Sequence, residues 1–212
     1  MTSSLSHCVI IPSFNSGDLL KNTVQGALQN WSSVIVVDDG STDESFDGLQ
    51  GYRDSSDVLI ILRHDKNLGK GAAVVTAMEY AIQNGFTHAA VFDADGQHAA
   101  EDLPRFMDHS RLHPGAMILG VPVFDAEAPP LRVKGRLVGN WWTNLETLWG
   151  GVRDSLYGFR VYPIEPSLQV MRSIKGGRRF DFDTQLAVRL YWKGIPPLNL
   201  LTPVTYDVTS QI

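Results

Sequence analysis

The stretch "FDADGQH" joins an apolar, β-prone run to a pair of acidic residues. Asp93 and Asp95 stand one residue apart, and Gly96 and Gln97 follow them. Two carboxylates this close repel each other unless a cation lies between them. Mg²⁺ or Mn²⁺ suits such hard oxygen ligands and shares its coordination shell with substrate phosphates. The pair therefore predicts a metal site, with Asp93 and Asp95 as ligands, that neutralises a diphosphate leaving group.

Polar segments also follow the three apolar runs that precede this one. These segments read "PSFNSG", "DDGSTD" and "RHDKNLGKG". Taken singly, each is ordinary turn chemistry, since Asp, Gly, Ser and Asn are the usual turn residues. Taken together, they predict a binding site, because ligands of open α/β sheets bind at the carboxyl ends of the strands.

The elements that must position these segments alternate between strands and helices. Continuous apolar runs of this length are typical of parallel strands covered on both faces. Helical patterns lie between them near residues 18–29, 70–84 and 101–113, and Gly85 is placed as a left-handed helix cap. We expect an α/β fold, an open and mostly parallel sheet flanked by helices. The predicted strands are Cys8–Ile11, Val34–Val37, Val58–Leu62, Ala89–Phe92 and Met117–Val121.

The pattern loosens in the second half of the chain. Residues 121–135 contain three prolines and no clear period, which predicts a loop. A helix over about Gly135–Trp149, a short strand in "GFRVYP", a helix ending near Gly194 and an extended C-terminal segment follow. We predict one domain over residues 1–212, in which residues 1–120 form a nucleotide-binding half and residues 121–212 shape the acceptor side.

The composition and the N-terminal residues argue against nucleic-acid-binding, secreted and membrane-spanning classes of protein. The net charge of −5 argues against a large nucleic-acid footprint. The first residues lack the pattern of a signal peptide, and no run of 18 apolar residues predicts a membrane span. Cys8 is the one cysteine, and we expect a buried, inert thiol. These features favour a cytoplasmic location.

Four motifs in order, "VIIPSFN", "VIVVDDGSTD", "NLGKGAAV" and "FDADGQH", resemble family 2 glycosyltransferases of the GT-A fold. The subgroup that the chain resembles is the polyprenyl-phosphate sugar transferases, of the dolichyl-phosphate mannose synthase type. "DSLYGFRVYP" is similar to the D-x-x-x-G-F-R element of that subgroup, and "FDFDTQLAVRLYWKG" to its next helix. The resemblance implies an inverting, metal-dependent transfer from a nucleotide-diphosphate sugar to a lipid-phosphate or lipid-linked hydroxyl acceptor.

The resemblance also implies residue roles on the donor side. Pro12 and Asn15 would line the base pocket, Asp39 would contact the base or ribose, and Lys70 would face the nucleotide. Asp93 would touch the ribose or metal, Asp95 would be the main metal ligand, and Gln97 would lie near the sugar. The first motif often has a glutamate after its asparagine, whereas Ser16 stands here, which leaves the base preference open.

The acceptor side needs cations or a base, depending on the acceptor. A lipid phosphate is already an anion, and arginine pairs with phosphate bidentately. Arg160 is the candidate for that contact, beside a basic group of Arg132, Lys134 and Arg136 that a solvated face explains equally well. A hydroxyl acceptor would need a general base, and Asp183 is the candidate.

Several other side chains have two interpretations. Asp154 and Asp181 are the remaining acidic candidates, and His98 is expected to be a polar loop histidine rather than a metal ligand. A tryptophan-rich group next to the basic residues suits either a membrane-interface helix or a packed core, and we favour the core. The group comprises Trp141, Trp142, Leu145, Leu148 and Trp149.

Two other functions fit part of the pattern. A haloacid-dehalogenase-type phosphatase also has D-x-D-G after an apolar strand, but normally after the first strand, not the fourth. A non-catalytic sugar-nucleotide-binding module would keep the same motifs without turnover. The subgroup usually continues beyond its "PVTY"-like strand, whereas this chain stops at Ile212, so we expect an incomplete acceptor site.

Overall fold

The computed structural model describes residues 6–49, 51, 59–96, 98–124, 130–173 and 182–204, and only the backbone of residues 130–135 and 138. Strands and helices alternate through the first half, and three helices follow in the second. In order they are β1 (His7–Ser13), α1 (Asp18–Asn30), β2 (Val34–Asp38), β3 (Leu59–Arg63), α2 (Lys70–Gln83), β4 (His88–Val91), α3 (Leu103–Leu112), β5 (Met117–Val123), α4 (Pro130–Glu146), β6 (Arg160–Pro163), α5 (Ile164–Ser173), α6 (Phe182–Trp192) and β7 (Pro197–Pro203).

The strands form one seven-stranded sheet with the order β3-β2-β1-β4-β6-β5-β7. Among its described strands only β6 runs antiparallel to its neighbours, β4 and β5. The predicted α/β class and the mostly parallel, open sheet are therefore confirmed. Because β6 runs the other way, its first residues lie at the edge where the parallel strands end.

Helices cover both faces of the sheet, and β1 shows why its apolar run is continuous. Cys8 and Ile10 face the core cluster that contains the buried side of α2, together with parts of α5 and α6. Val9 and Ile11 face the opposite cluster, which contains the buried sides of α1 and α3. Cys8 is fully buried, as predicted, and burial raises the pKa of its thiol to about 12.

Helix α2 ends as its sequence predicts. Gly85 has a φ of +83°, in the left-handed region that glycine adopts at little cost. The Gly85 N–H donates to Ile82 O at 3.2 Å, and the Phe86 N–H donates to Ala81 O at 3.0 Å. These two bonds satisfy carbonyls that the last helical turn leaves unpaired, as in a Schellman cap.

The second half departs from prediction in three places. The segment 121–135 is not all loop, because β5 continues to Val123 and α4 begins at Pro130, where the missing proline N–H is tolerated. Helix α4 ends at Glu146, before the predicted end. Helix α5 (Ile164–Ser173) was not predicted. None of the described helices is long and apolar enough to cross a membrane.

A buried histidine pair at the start of the sheet makes stability depend on pH. His7 and His88 are register partners on β1 and β4, and their rings stack with centroids 4.7 Å apart. Burial lowers the pKa of His7 to about 4, helped by His88 and Arg111 and opposed by Asp108. The folded protein therefore keeps this imidazole neutral at pH values where an unfolded chain protonates it.

We expect His7 to destabilise the fold on acidification. Its folded pKa lies below the unfolded value, so the contribution is complete above pH 6.5 and is lost as pH falls from 6.5 towards 4. The loss should reach roughly 2–3 kcal/mol of unfolding free energy. Urea unfolding of the wild type and of His7→Asn at pH 7 and pH 4.5 measures it, with exposed His113→Asn as control. An equal pH slope in His7→Asn and wild type would contradict this assignment.

Candidate active site

The carboxyl ends of the parallel strands bring together side chains that are distant in sequence. Lys70, at the start of α2, places its Nζ 2.6 Å from Asp93 Oδ1 and 2.6 Å from Asp183 Oδ2. Asp93 follows β4, and Asp183 lies in the first turn of α6. One ammonium group thus joins the predicted metal carboxylate to the predicted base.

Electrostatics within this group follow from the geometry. Burial alone would lower the pKa of Lys70, but the carboxylates of Asp183 and Asp93 outweigh it and raise the pKa. Burial alone would raise the pKa of Asp93, but the Lys70 ammonium outweighs it, aided by His98, and holds the pKa well below its usual range. Asp93 is therefore an anion that already has one cationic partner.

Asp39 joins the end of β2 to the turn before α2. Its Oδ1 accepts from His64 Nδ1 at 2.7 Å and from the Leu68 N–H at 2.9 Å. Its Oδ2 accepts from the Gly69 N–H at 2.7 Å, and the residue is 2% exposed. Asp39 thus fixes the "NLGKG" turn and, through it, the start of the helix that carries Lys70. Its contact with a base or ribose stays a prediction.

The first two polar segments bind each other at the neighbouring strand ends. The Asn15 Oδ1 accepts from the Thr42 N–H at 2.9 Å, and the Asn15 N–H donates to Ser41 Oγ at 3.0 Å. Asn15 has a φ of +50°, a conformation that asparagine tolerates. Pro12 is buried near the end of β1, opposite Val37 in register. The structure brings these segments together, and their role in binding a base stays a prediction.

Glycine is required in "DDGSTD" because another backbone passes close by. A Cβ on Gly40 would lie 2.5 Å from the carbonyl carbon of Lys66, and the φ of Gly40 is +75°. The segment is therefore more than a solvated turn, since it packs against the loop that leads to Lys70.

His98 corrects the expectation of a polar loop histidine. Its side chain is only 3% exposed, and its Nε2 lies 3.8 Å from Asp93 Oδ2. The ring packs edge-on against Tyr157, with centroids 4.5 Å apart. Asp93, Asp95 and His98 each offer a ligand atom, and these atoms lie within 4.8 Å of one another. Among the described residues, this trio is the group that fits a divalent cation.

The segment "DSLYGFR" surrounds the trio from the side of β6. Asp154 Oδ1 accepts from the Leu156 and Tyr157 N–H groups at 3.0 and 2.8 Å, which fixes the turn. Asp154 Oδ2 forms an ion pair with Arg136 Nε at 2.9 Å. Asp154 is 3% exposed, so the geometry describes a residue that anchors α4 and the turn. Direct participation of Asp154 in chemistry stays a prediction.

Gly158 lies against Asp93, the predicted metal carboxylate. A Cβ built on Gly158 would lie 1.9 Å from Asp93 Oδ2, a distance that no side chain can occupy. The glycine of this segment is therefore a requirement of space at the site rather than of backbone conformation. Sequence reasoning missed this residue because the contact joins elements distant in the chain.

Arg160 does not reach the open part of the site. Its side chain is fully buried, and its Nε donates to Tyr157 O at 2.7 Å. One guanidinium NH₂ group donates to Asp183 O at 2.7 Å and to the Tyr162 hydroxyl at 3.1 Å. These bonds hold the first turn of α6, and with it Asp183. The predicted phosphate contact is untested, and this burial makes a positioning role the better description.

Four of the predicted residues have side chains that the structure does not describe. Gln97 and Asp181 lie outside the described residues, as do the side chains of Arg132 and Lys134.

The expectation that the tryptophan-rich group belongs to the core is wrong, because all five side chains are substantially exposed. Their exposed fractions are 52% for Trp141, 57% for Trp142, 39% for Leu145, 82% for Leu148 and 64% for Trp149.

A groove of about 540 Å³ lies between α4 and α6. Trp142 lines it from α4, Trp192 from α6, and Leu156 from the segment between α4 and β6. Thr184, the residue after Asp183 in the sequence, also lines it. The rest of the lining is mixed: Arg189 brings a cation and Glu146 an anion, and hydroxyl and amide side chains separate the apolar ones.

Comparison with known proteins gives a consistent result. The model of the family described as "Glycosyl transferase family 2" matches residues 8–164. A UDP-N-acetylglucosamine–dolichyl-phosphate N-acetylglucosaminyltransferase of Methanococcus voltae is 30% identical over 194 residues, 82% of this chain and 75% of that relative. A polyprenol monophosphomannose synthase of Mycolicibacterium smegmatis is 26% identical over 218 residues, 93% of this chain and 76% of that relative.

Solved structures extend the comparison to the fold. The glucosyl-3-phosphoglycerate synthase of Mycobacterium tuberculosis, in complex with Mn²⁺, UDP and glucosyl-3-phosphoglycerate, superposes with a TM-score of 0.67 at 16% identity. The superposition covers 95% of this chain and 72% of that one. At this identity the likeness shows the fold alone, and the predicted GT-A fold is confirmed.

Gly158→Ala should displace Asp93 while leaving the protein folded. The added methyl group must push the carboxylate away from its place between Lys70 and His98, because the three nearest atoms that it meets all belong to the Asp93 side chain. We expect a loss of roughly 1–3 kcal/mol in stability, typical of overpacking, and a drop of about tenfold or more in Mn²⁺ affinity.

Thermal unfolding and Mn²⁺ titration followed by electron paramagnetic resonance (EPR) measure these two effects. Gly115→Ala is the matched control, since a Cβ there meets nothing within 4 Å. Unchanged Mn²⁺ affinity in a folded Gly158→Ala protein would show that Asp93 does not bind the ion.

Proposed function

This chain belongs to glycosyl transferase family 2, and from that premise we propose that it transfers a sugar from a nucleotide-diphosphate sugar to a lipid phosphate. The transfer is metal-dependent and inverts the anomeric carbon. The observation that carries the proposal is the group of Asp93, Asp95 and His98 beside Lys70, at the carboxyl edge of a GT-A sheet. The names of two relatives, which refer to dolichyl phosphate and to polyprenol monophosphomannose, support the acceptor.

On the donor side, the proposal assigns the nucleoside to the loops after β1 and β2. Pro12 and Asn15 would contact the base, and Asp39 would hold the loop that approaches the ribose. Asp93 and Asp95, with His98 beside them, fit an Mg²⁺ or Mn²⁺ ion by donor type and spacing. Such an ion supplies Lewis-acid stabilisation of the diphosphate leaving group. Gln97 would lie near the sugar.

Lys70 has two roles under this proposal. Its ammonium orients Asp93 by binding Oδ1, which leaves Oδ2 on the side of His98. It also brings a positive charge to the region where a diphosphate would lie. The Lys70 ammonium can therefore contact Asp93 and the nucleotide at the same place, since the diphosphate would lie beside Asp93.

On the acceptor side, the pairing of Asp183 supports a phosphate rather than a hydroxyl. Asp183 Oδ2 accepts from Lys70 at 2.6 Å, and the Asp183 carbonyl accepts from Arg160. These contacts describe a carboxylate used to hold the site together. A phosphate nucleophile is already ionised and needs no base, whereas a hydroxyl needs one.

The exposed surface of α4 supports a lipid-linked acceptor. Trp141, Trp142 and Leu145 lie on α4, and Leu148 and Trp149 follow its end. Tryptophan and leucine on an exposed helix surface are typical of contact with a membrane interface. The groove that Trp142 and Trp192 line adjoins this surface, and these apolar side chains suit contact with an isoprenoid chain. We propose a peripheral position at the cytoplasmic face of a membrane.

The direct test is transfer of labelled sugar from a panel of UDP- and GDP-sugars to a polyprenyl phosphate in detergent. A product that carries the sugar on the lipid phosphate is the expected result. Binding of nucleotide without transfer or donor hydrolysis would instead indicate a non-catalytic sugar-nucleotide-binding module. Transfer to a glycolipid hydroxyl alone would show that the acceptor class is wrong.

Asp95→Asn should remove the metal dependence of the donor site. We expect wild-type affinity for UDP or GDP to fall when EDTA replaces Mn²⁺, and Asp95→Asn to bind weakly in both conditions. Transfer should fall about 100-fold or more, the scale of lost Lewis-acid stabilisation. Calorimetry measures binding, with exposed Asp108→Asn on α3 as control. Equal wild-type affinity in EDTA and Mn²⁺ would remove the metal from the proposal.

Asp183→Asn should distinguish the two acceptor classes. Asparagine still accepts a hydrogen bond from Lys70 but cannot take a proton. With a phosphate acceptor we expect less than about a tenfold loss in kcat, because no base is needed. With a hydroxyl acceptor the loss should be roughly 10²–10⁴-fold. Steady-state rates on both acceptors decide between the classes, and Glu165→Gln, exposed on α5, is the control.

A further inference from the structure

The His98 ring is buried without the hydrogen bonds that a buried imidazole normally makes. Its side chain is 3% exposed. Within the described part of the chain, neither Nδ1 nor Nε2 has a hydrogen-bond partner. Leaving polar atoms unsatisfied in a buried position is costly, so most native structures avoid it. The two nitrogens therefore require an explanation beyond packing.

Packing explains the orientation of the ring but not its chemistry. Tyr157 lies edge-on to it at 4.5 Å between centroids, and Phe92 is tilted against it at 5.2 Å. A backbone bridge between His98 and Val204 fixes the main chain at the end of β7. A phenylalanine would satisfy the aromatic contacts equally well, and it would leave no nitrogen unpaired.

The ring nitrogen points towards the carboxylates of the proposed metal site. Nε2 lies 3.8 Å from Asp93 Oδ2, and a ligand atom of Asp95 completes a group whose members lie within 4.8 Å. Atoms bound to one ion at about 2.1 Å lie at most roughly 4.2 Å apart. The trio therefore needs only a small closure to share an ion. Lys70 holds the other Asp93 oxygen, Oδ1, which orients Oδ2 for this use.

We propose that His98 is a nitrogen ligand of the donor-site ion, and that it makes the site prefer Mn²⁺ and later first-row ions to Mg²⁺. This inference rests on the proposed function, from which it takes the ion itself. Mg²⁺ is a hard cation that is bound almost entirely through oxygen and water. Imidazole suits transition-metal ions, and affinity for such sites rises from Mn²⁺ to Co²⁺. Two carboxylates alone would give little such discrimination.

The test measures metal affinity and coordination rather than transfer. Mn²⁺ binding is followed by loss of the free-ion EPR signal, and Mg²⁺ and Co²⁺ affinities by competition, with and without UDP or GDP. We expect the wild type to bind Mn²⁺ at least about tenfold tighter than Mg²⁺. Pulsed EPR of bound Mn²⁺ should show coupling to a ¹⁴N nucleus that changes to ¹⁵N after histidine labelling.

His98→Phe is the variant, because it keeps the aromatic packing and removes both nitrogens. It should lose about tenfold in Mn²⁺ affinity, change less than about threefold for Mg²⁺, and lose the nitrogen coupling. His113→Phe, at an exposed position after α3, is the control. The coupling measurement on unaltered protein remains decisive if His98→Phe does not fold.

The outcomes separate this inference from the proposed function. Absence of nitrogen coupling, with the same Mn²⁺ to Mg²⁺ ratio in wild type and His98→Phe, overturns the role of His98 even if sugar is transferred to a lipid phosphate. Nitrogen coupling in a protein that transfers no sugar to any lipid phosphate supports the role of His98 and overturns the proposed function.

Discussion

The site depends on the two ion pairs that the Lys70 ammonium forms with Asp93 and Asp183. Asp93, Asp95 and Asp183 converge at one edge of the sheet, and three carboxylates there would repel one another without a cation. Lys70 lies 2.6 Å from both Asp93 and Asp183 and so offsets part of that repulsion. It also joins the half of the chain that carries the donor motifs to the helix α6 of the other half.

Next to these ion pairs, the "DSLYGFR" segment contains residues that were predicted to be catalytic and whose observed contacts position other residues of the site. Asp154 fixes a turn, Gly158 leaves space for Asp93, and Arg160 binds the carbonyl of Asp183. The antiparallel direction of β6 makes this arrangement possible, because it brings the segment to the same edge as the ends of β1, β2 and β4. These contacts hold Asp93, Asp183 and the turn between α4 and β6 in place, and a direct chemical role of Asp154 or Arg160 stays a prediction.

The sequence predicted what depends on local pattern and on parallel strand order. Continuous apolar runs such as "CVII" imply burial on both faces, and parallel strands bring Asp39 and Asp93 to one edge without further information. The burial of His98 was not predictable, because it depends on Tyr157, which is distant in sequence. The exposed tryptophans of α4 were misjudged because an apolar helix face does not reveal what it faces. Helix α5 was not predicted, although Ile164, Leu168 and Met171 have helical spacing. The reason is Pro166, because proline interrupts the interior of a helix but is tolerated in its first turn.

The central position of β6 also affects how the chain reaches its native state. Strands β1 to β4 are all synthesised before residue 95, but β4 gains its second neighbour only when Arg160–Pro163 has been made. Until then "HAAV" is an apolar edge strand whose unpaired N–H and C=O groups can pair with another chain. The strand that brings Gly158 and Arg160 to the site is therefore also the one that covers this exposed edge of the growing sheet.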